Sequence, residues 1–422
     1  MSLARNAQSQ AMKRRDGSAV SILLWMTFAQ AGATLDQQGL GGLAPFFAAS
    51  LGLDHASLGV LFGAIYLGST LFTAPSGLLV DRYGEKTIVL VSGLIMGAAV
   101  ALGALFRNHL WLVACLFVFG CAYAASSPAG GRAILRWFSR NRGLAMGIRQ
   151  AGAPVGGTVG AIVLPLIAIH SSYRVALVAG GAVCALTAVV AVWRYREPAG
   201  AGVVTAAAPQ SFSALVRGMA RFAIEPRSVA VNLTGFLLGS AQYTAVAFII
   251  VGLLHDGAPR GVAALSLAIM QGTGIVARPL WGIASDRFFK GDRGAPLALI
   301  AVVGAISLWA LGSVGPSAAN ALVVTAIGVG LGVSAIGFTG LLNTVLAEIG
   351  GAEAAGSAMG VGLTFTYAAG FIAPPVFGLL VDTRGFSFAW RLLALMLVLA
   401  ALVALAVRRR GAPPTGSADP AR

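Results

Sequence analysis

"GIVARPLWGIASDRF", Gly274–Phe288, begins inside an apolar run and ends among charges. Its first part places Arg278 in an otherwise greasy helix. Its second part, Gly282 to Arg287, repeats the Gly-x-x-x-Asp-Arg of "GLLVDRYGEK", Gly77–Lys86. A charge at the centre of a lipid-embedded helix costs roughly 2.5–3.5 kcal/mol on insertion scales, so Arg278 must face a bundle interior or a water-filled cavity. A motif that recurs after two separate apolar spans marks a duplicated architecture.

The surrounding composition agrees. The chain has 422 residues, of which 57% are hydrophobic and 10% charged, and its mean hydropathy is +0.84. Soluble domains carry about 25% charged residues, so a water-soluble fold is excluded. Apolar runs of about 20 residues, enough to cross a roughly 30 Å hydrocarbon core as helix, recur along the sequence. Such Gly-rich runs suit helices, which satisfy their own backbone bonds, and not the short strands of a barrel.

Twelve spans are predicted, near 20–47, 56–80, 87–106, 110–135, 143–168, 173–193, 229–253, 261–284, 295–314, 319–346, 356–381 and 386–407. The fold class is therefore an all-α membrane protein of two pseudo-symmetric six-helix bundles, residues 1–193 and 228–422, joined by a linker over 194–227. A second echo, "LAMG" at 144–147 and "SAMG" at 357–360, supports the duplication.

The net charge of +15 does not imply nucleic acid, because the basic residues sit in short loops between spans. Of the 29 Lys and Arg, only Arg107, Arg174, Arg260, Arg384 and Arg391 fall on the side opposite the termini. This bias places both termini in the cytoplasm of a bacterial-type inner membrane. The amino-terminal run continues past Asp36 without a small-residue cleavage site, so it is expected to stay as a first span. Cys115, Cys121 and Cys184 lie inside predicted helices without metal-ligand spacing, so neither metal nor cofactor is expected.

The polar residues inside spans are the candidate site. Arg278 offers a fixed charge and five donors to an anion, against a structural reading in which it snorkels to the cytoplasm or pairs with a carboxylate. Gln271, two turns earlier, shares its helix face. Tyr123, Asn343 and Tyr367 are the other candidate substrate contacts, with interhelical hydrogen bonding as their structural alternative. Asp36 is a candidate for coupling, for a salt bridge or for a place at the rim. Arg132 is open between gating and binding, and Arg149 is expected at a moving interface. Asp81, Arg82, Asp286 and Arg287, in the duplicated motif, are expected to form and break contacts as the halves rock.

This pattern of twelve spans, "GLLVDRYGEK" and "GIASDR" resembles the major facilitator superfamily over essentially the whole chain. The resemblance implies a monomeric, proton- or ion-coupled transporter, not an enzyme, with a cavity between its halves. Glu85 stands where the family often has a basic residue. "RWFSRNRGLAMG", Arg136–Gly147, and "ARPLWG", Ala277–Gly282, resemble the monocarboxylate and oxalate/formate group. In that group the arginine matching Arg278 binds a substrate carboxylate or couples its passage. The acidic residue of some members is Gly274 here, and the eleventh span lacks the second basic residue of the oxalate/formate type. A monocarboxylate moved with protons is the resulting expectation. The alternatives are an organic-anion antiporter and, from the Gly/Pro-rich fifth span, a proton-coupled exporter of an amphipathic drug-like compound.

Overall fold

The computed structural model describes residues 2–138, 142–196, 224–290 and 292–406, and its regular structure is helical. α1 (Ser2–Gly39) passes through a 3-10 turn, Leu40–Leu43, into α2 (Ala44–Leu51), and together they make the first span. α3 (His55–Gly103) carries the second and third spans and breaks at Gly84, whose φ of 78° and ψ of 157° are open to glycine. α4 (His109–Trp137), α5 (Arg142–His170) and α6 (Tyr173–Arg194) complete the first half. Most of the predicted linker, 197–223, lies outside the described residues.

The second half opens with α7 (Pro226–His255), α8 (Arg260–Arg287) and α9 (Gly294–Leu311). Its tenth span is composite: α10 (Ala321–Leu331), a π-turn over Gly332–Ile336, and the start of α11 (Phe338–Arg384), which continues as the eleventh span. α12 (Phe386–Ala406) is the last. Polar caps start several spans: Asp54 accepts from Ser57 N at 2.8 Å, Asn108 from Trp111 N at 3.1 Å and Glu225 from Ser228 N at 2.6 Å.

Eleven stretches among the described residues are long and apolar enough to cross a membrane. The first span, which is not in that set, carries Gln30, Thr34, Asp36, Gln37 and Gln38, and all five are buried within the bundle. Large apolar side chains such as Leu186, Leu399 and Leu402 remain exposed, as a lipid-facing surface requires. α7 is different: 89% of its most apolar window is buried, which places it at the centre and away from lipid.

The halves meet along two seams, α3 against α11 and α5 against α8. At the first seam a Cβ on Gly59 would collide with the Pro374 carbonyl, and one on Gly378 with the His55 carbonyl. The second and eleventh spans therefore touch main chain to main chain, as small residues permit in membranes. Asp382, near the end of α11, caps the start of α3 across the seam. It accepts from Ala56 N at 2.9 Å and His55 N at 3.3 Å, and its Oδ1 lies 2.6 Å from His55 Nδ1. This clasp is on the face opposite the loops that follow the second and eighth spans.

The clasp exposes an echo beyond the one between residues 77–86 and 282–293. "GLLVDRYG", Gly77–Gly84, ends the second span on the basic face; "GLLVDTRG", Gly378–Gly385, ends the eleventh on the other. Both terminate in a glycine of the same unusual backbone geometry, φ 78° at Gly84 and φ 83° at Gly385. The two packed spans thus carry one motif pointing in opposite directions.

Candidate substrate-binding site

Arg278 lies on α8 with its guanidinium between the halves. Its Nε donates to the Ile336 carbonyl at 3.1 Å, and its Nη1 to the Gln150 carbonyl on α5, also at 3.1 Å. The Gln150 acceptor is free for a backbone reason. In α5 the Gln150 carbonyl would accept from the N–H four residues on, but that residue is Pro154, which has none. Ile336 ends the π-turn, where Gly337 N reaches back to the Gly332 carbonyl at 3.0 Å and so leaves the Val333 carbonyl without its α-helical donor. Trp281, one turn along α8, donates from Nε1 to Val333 O in the same turn at 2.8 Å. Arg278 neither snorkels away nor meets a carboxylate: among the described residues it has no ion-pair partner.

Gly274, one turn before Arg278, has a packing role. A Cβ there would collide with the Ile336 side chain, so the π-turn fills the space that an acidic side chain would need.

Arg149, on α5, is only 1% exposed. Its Nη2 donates to Gln30 Oε1 at 2.9 Å and to the Ser126 carbonyl at 3.2 Å, while Nε and Nη1 have no partner. A Cβ on Gly130 would collide with its Nε, so a glycine on α4 lets the guanidinium lie against that helix. Gln30 also donates to the Tyr123 hydroxyl at 3.5 Å. Tyr123 is within electrostatic range of both Arg149 and Arg278.

Four buried tyrosines surround this centre, Tyr66 and Tyr123 from the first half and Tyr243 and Tyr367 from the second. Tyr66 and Tyr243 have ring centroids 4.0 Å apart, Tyr66 and Tyr367 6.4 Å, and Tyr123 and Tyr367 6.5 Å. Both polar amide atoms of Gln271 are buried without a partner, as is Oε1 of Gln38. A Cβ on Gly157 of α5 would lie 2.8 Å from Gln38 Oε1 and 3.0 Å from Gln271 Nε2, so these amides from opposite halves share one backbone platform.

Arg278, Gln271, Tyr123 and Tyr367 are thus brought together. Arg149 joins them. Asn343 is half-buried near the basic end of the tenth span, and none of the site's contacts described above involves it. Asp36 is fully buried with both oxygens unpartnered, yet it faces Gly180 and Cys184 of α6 and, among the described residues, pairs with no arginine.

Arg132 belongs to a cluster on the basic face, donating to Val80 O at 3.1 Å and lying 3.5 Å from Glu85. Glu85 also holds Arg136 at 2.6 Å and accepts from the Tyr195 hydroxyl at 2.7 Å. The second half reverses the charges: Arg293 holds Asp286 at 2.6 Å and Glu348 at 2.8 Å. Asp286 is thereby engaged, Arg287 is exposed, and Arg82 lies over the Tyr83 ring at 5.4 Å. The Asp81 side chain lies outside the described residues.

Sequence reasoning missed Tyr66, a single tyrosine in an apolar run without periodic signal. It also missed the Gln150 carbonyl, for which Pro154 is the readable sign.

The sequence profile described as Major Facilitator Superfamily matches residues 26–374. The chain is 31% identical over 342 residues to an uncharacterized MFS-type transporter of Mycobacterium tuberculosis, covering 81% of this chain and 74% of that one. It is 27% identical over 396 residues to the probable sulfoacetate transporter SauU of Cupriavidus necator, covering 89% and 90%. Among solved structures, a bacterial homolog of the human lysosomal transporter Spinster, inward-facing and unoccupied, superposes with a TM-score of 0.75 at 16% identity. That match covers 92% of this chain and 97% of the other, and is a likeness of fold. With its two helical bundles and these relatives, the chain is a secondary transporter, not an enzyme, and belongs to the Major Facilitator Superfamily.

Proposed function

We propose that the chain moves a small organic anion across a bacterial inner membrane by alternating access, with protons as the coupling ion and both termini in the cytoplasm. The observation that carries this reading is Arg278: a guanidinium at the seam of the halves, held by two carbonyls and, among the described residues, facing no carboxylate. Its fixed charge attracts an anion, and its bond to α5 links binding to the relative position of the halves. Monocarboxylates belong to the class that fits, and the name of the Cupriavidus relative adds sulfoacetate to the candidates.

The test is a thermal-stabilisation screen of the purified protein with lactate, pyruvate, formate, oxalate, 4-hydroxybenzoate and sulfoacetate, followed by liposome uptake of each hit. Arg278→Gln is expected to abolish uptake of the hit. Unchanged kinetics in that variant would overturn the assignment.

A second reading, proton-driven export of an amphipathic compound, draws on the tyrosine rings that meet across the halves. Stabilisation confined to hydrophobic cations would favour it over anion transport.

A further inference from the structure

Arg149 has a part that neither motif nor relative assigns. We infer that the substrate carries two acidic groups, one held by Arg149 of the first half and the other by Arg278 of the second. This rests on the organic-anion reading and narrows it from monocarboxylates to short dianions.

The two arginines are neighbours through the backbone: Arg278 Nη1 rests on the carbonyl of Gln150, the residue that follows Arg149. Both lie within electrostatic range of Tyr123. Each is anchored at one edge and open elsewhere. Arg149 uses Nη2 for Gln30 and Ser126 and leaves Nε and Nη1 unpartnered although it is almost completely buried. Arg278 uses Nε and Nη1, and no bond among the described residues engages its Nη2.

The buried Arg149 and the half-buried Arg278 each lose hydration, so each needs an anion or a cluster of acceptors to offset that cost. The protein supplies carbonyl and amide oxygens but no carboxylate to either one among the described residues. Asp36, the buried acid nearest in sequence to Gln30, turns toward α6 instead. A monoanion would neutralise one guanidinium and leave the other uncompensated. A dianion neutralises both, and because the arginines belong to different halves, its two ends tie the halves together. The unpartnered Gln271 amide and Gln38 Oε1 lie beside the same platform on α5, and Gln271 Nε2 supplies a donor for the part of the substrate between its acidic ends.

The test uses matched acids on the purified full-length protein at constant ionic strength: acetate against malonate, and propionate against succinate. Malonate or succinate is expected to stabilise the wild type at a concentration roughly tenfold or more below that of its monoacid, the scale of one charge-assisted hydrogen-bonded contact. Arg149→Gln is expected to lose that preference, with a cooperative thermal unfolding transition in the absence of acid showing that it is folded. Arg149→Lys is expected to keep part of the preference. Arg278→Gln should lose both responses. Equal affinity for monoacids and diacids, or an undiminished preference in Arg149→Gln, would overturn the two-arginine assignment while leaving the organic-anion reading standing. No response to any acid in the wild type would overturn both.

Discussion

The Arg278 guanidinium of the second half donates to the Gln150 carbonyl of the first at 3.1 Å, across the seam between α8 and α5. The bond exists because Pro154 leaves that carbonyl without its helical donor. It joins the candidate anion site to the relative position of the two halves in a single contact. Arg278→Gln therefore removes two things, the charge and the donors for Gln150 and Ile336. The lost donors should lower stability by about 1–3 kcal/mol for each carbonyl left unpaired. Arg278→Lys keeps the charge but cannot present a planar fork to both carbonyls. Thermal unfolding should rank wild type above Lys above Gln, and anion uptake should follow the same order. A glutamine variant as stable as the wild type would show that the cross-seam bond contributes nothing.

Asp36 gives a separate prediction about coupling. Its carboxyl is buried on α1 with no hydrogen-bond partner and faces α6, so it is not placed to hold substrate. A residue that carries the coupling proton without touching the substrate can be removed without stopping exchange. Asp36→Asn should keep anion counterflow in liposomes and lose accumulation driven by a pH gradient. Loss of counterflow together with accumulation would point to a structural role for Asp36.

The clasp at Asp382 predicts a shift in conformation. Asp382→Ala removes the acceptor of two backbone N–H groups at the start of α3, a capping loss of about 1 kcal/mol. Because that cap bridges the halves, the loss should favour opening of this face by roughly fivefold. Alkylation of a cysteine at Phe62→Cys, a buried site on α3, should accelerate correspondingly in a background lacking the native cysteines. An unchanged labelling rate would mean that the glycine-lined seam holds the face closed without the aspartate.

The architecture was legible in sequence because membrane thickness fixes span length, and because the Gly-x-x-x-Asp-Arg repeat marks equivalent points in two direct halves. Arg278 was legible too, since a charge in an apolar run demands an explanation. Its partner was harder to see: Gln150 acts through its carbonyl, and only the missing N–H of Pro154 records that. Helix spacing sets Arg149 on the side of Gly156, the sign of a packed interface: Gly156 faces α1, and Arg149 reaches Gln30 of that same helix. What spacing could not convey is the fold's placement of Tyr367 and Tyr123 within electrostatic range of it. The echo between Gly77–Gly84 and Gly378–Gly385 was present in plain sequence, but it joins opposite faces, which a search for direct repeats passes over.

The reversed charge clusters on the basic face predict unequal sensitivity in the two halves. Glu85 is 3% exposed and engages Arg136, Arg132 and Tyr195, so Glu85→Gln leaves two guanidinium groups facing each other without their shared anion. Breaking such a buried arrangement from one side costs about 3 kcal/mol or more. In the second half the central charge is Arg293, and Asp286 on its flank is 64% exposed. Asp286→Asn should cost less than about 1 kcal/mol, because water screens that pair and Glu348 still holds Arg293. Thermal unfolding of the two single variants in the same detergent should show the large loss only for Glu85→Gln. Reversing the first cluster, with Glu85→Arg combined with Arg136→Glu, should recover part of that loss, since it reproduces the arrangement of Arg293 and Glu348. Equal losses in Glu85→Gln and Asp286→Asn would mean that burial does not distinguish the two clusters.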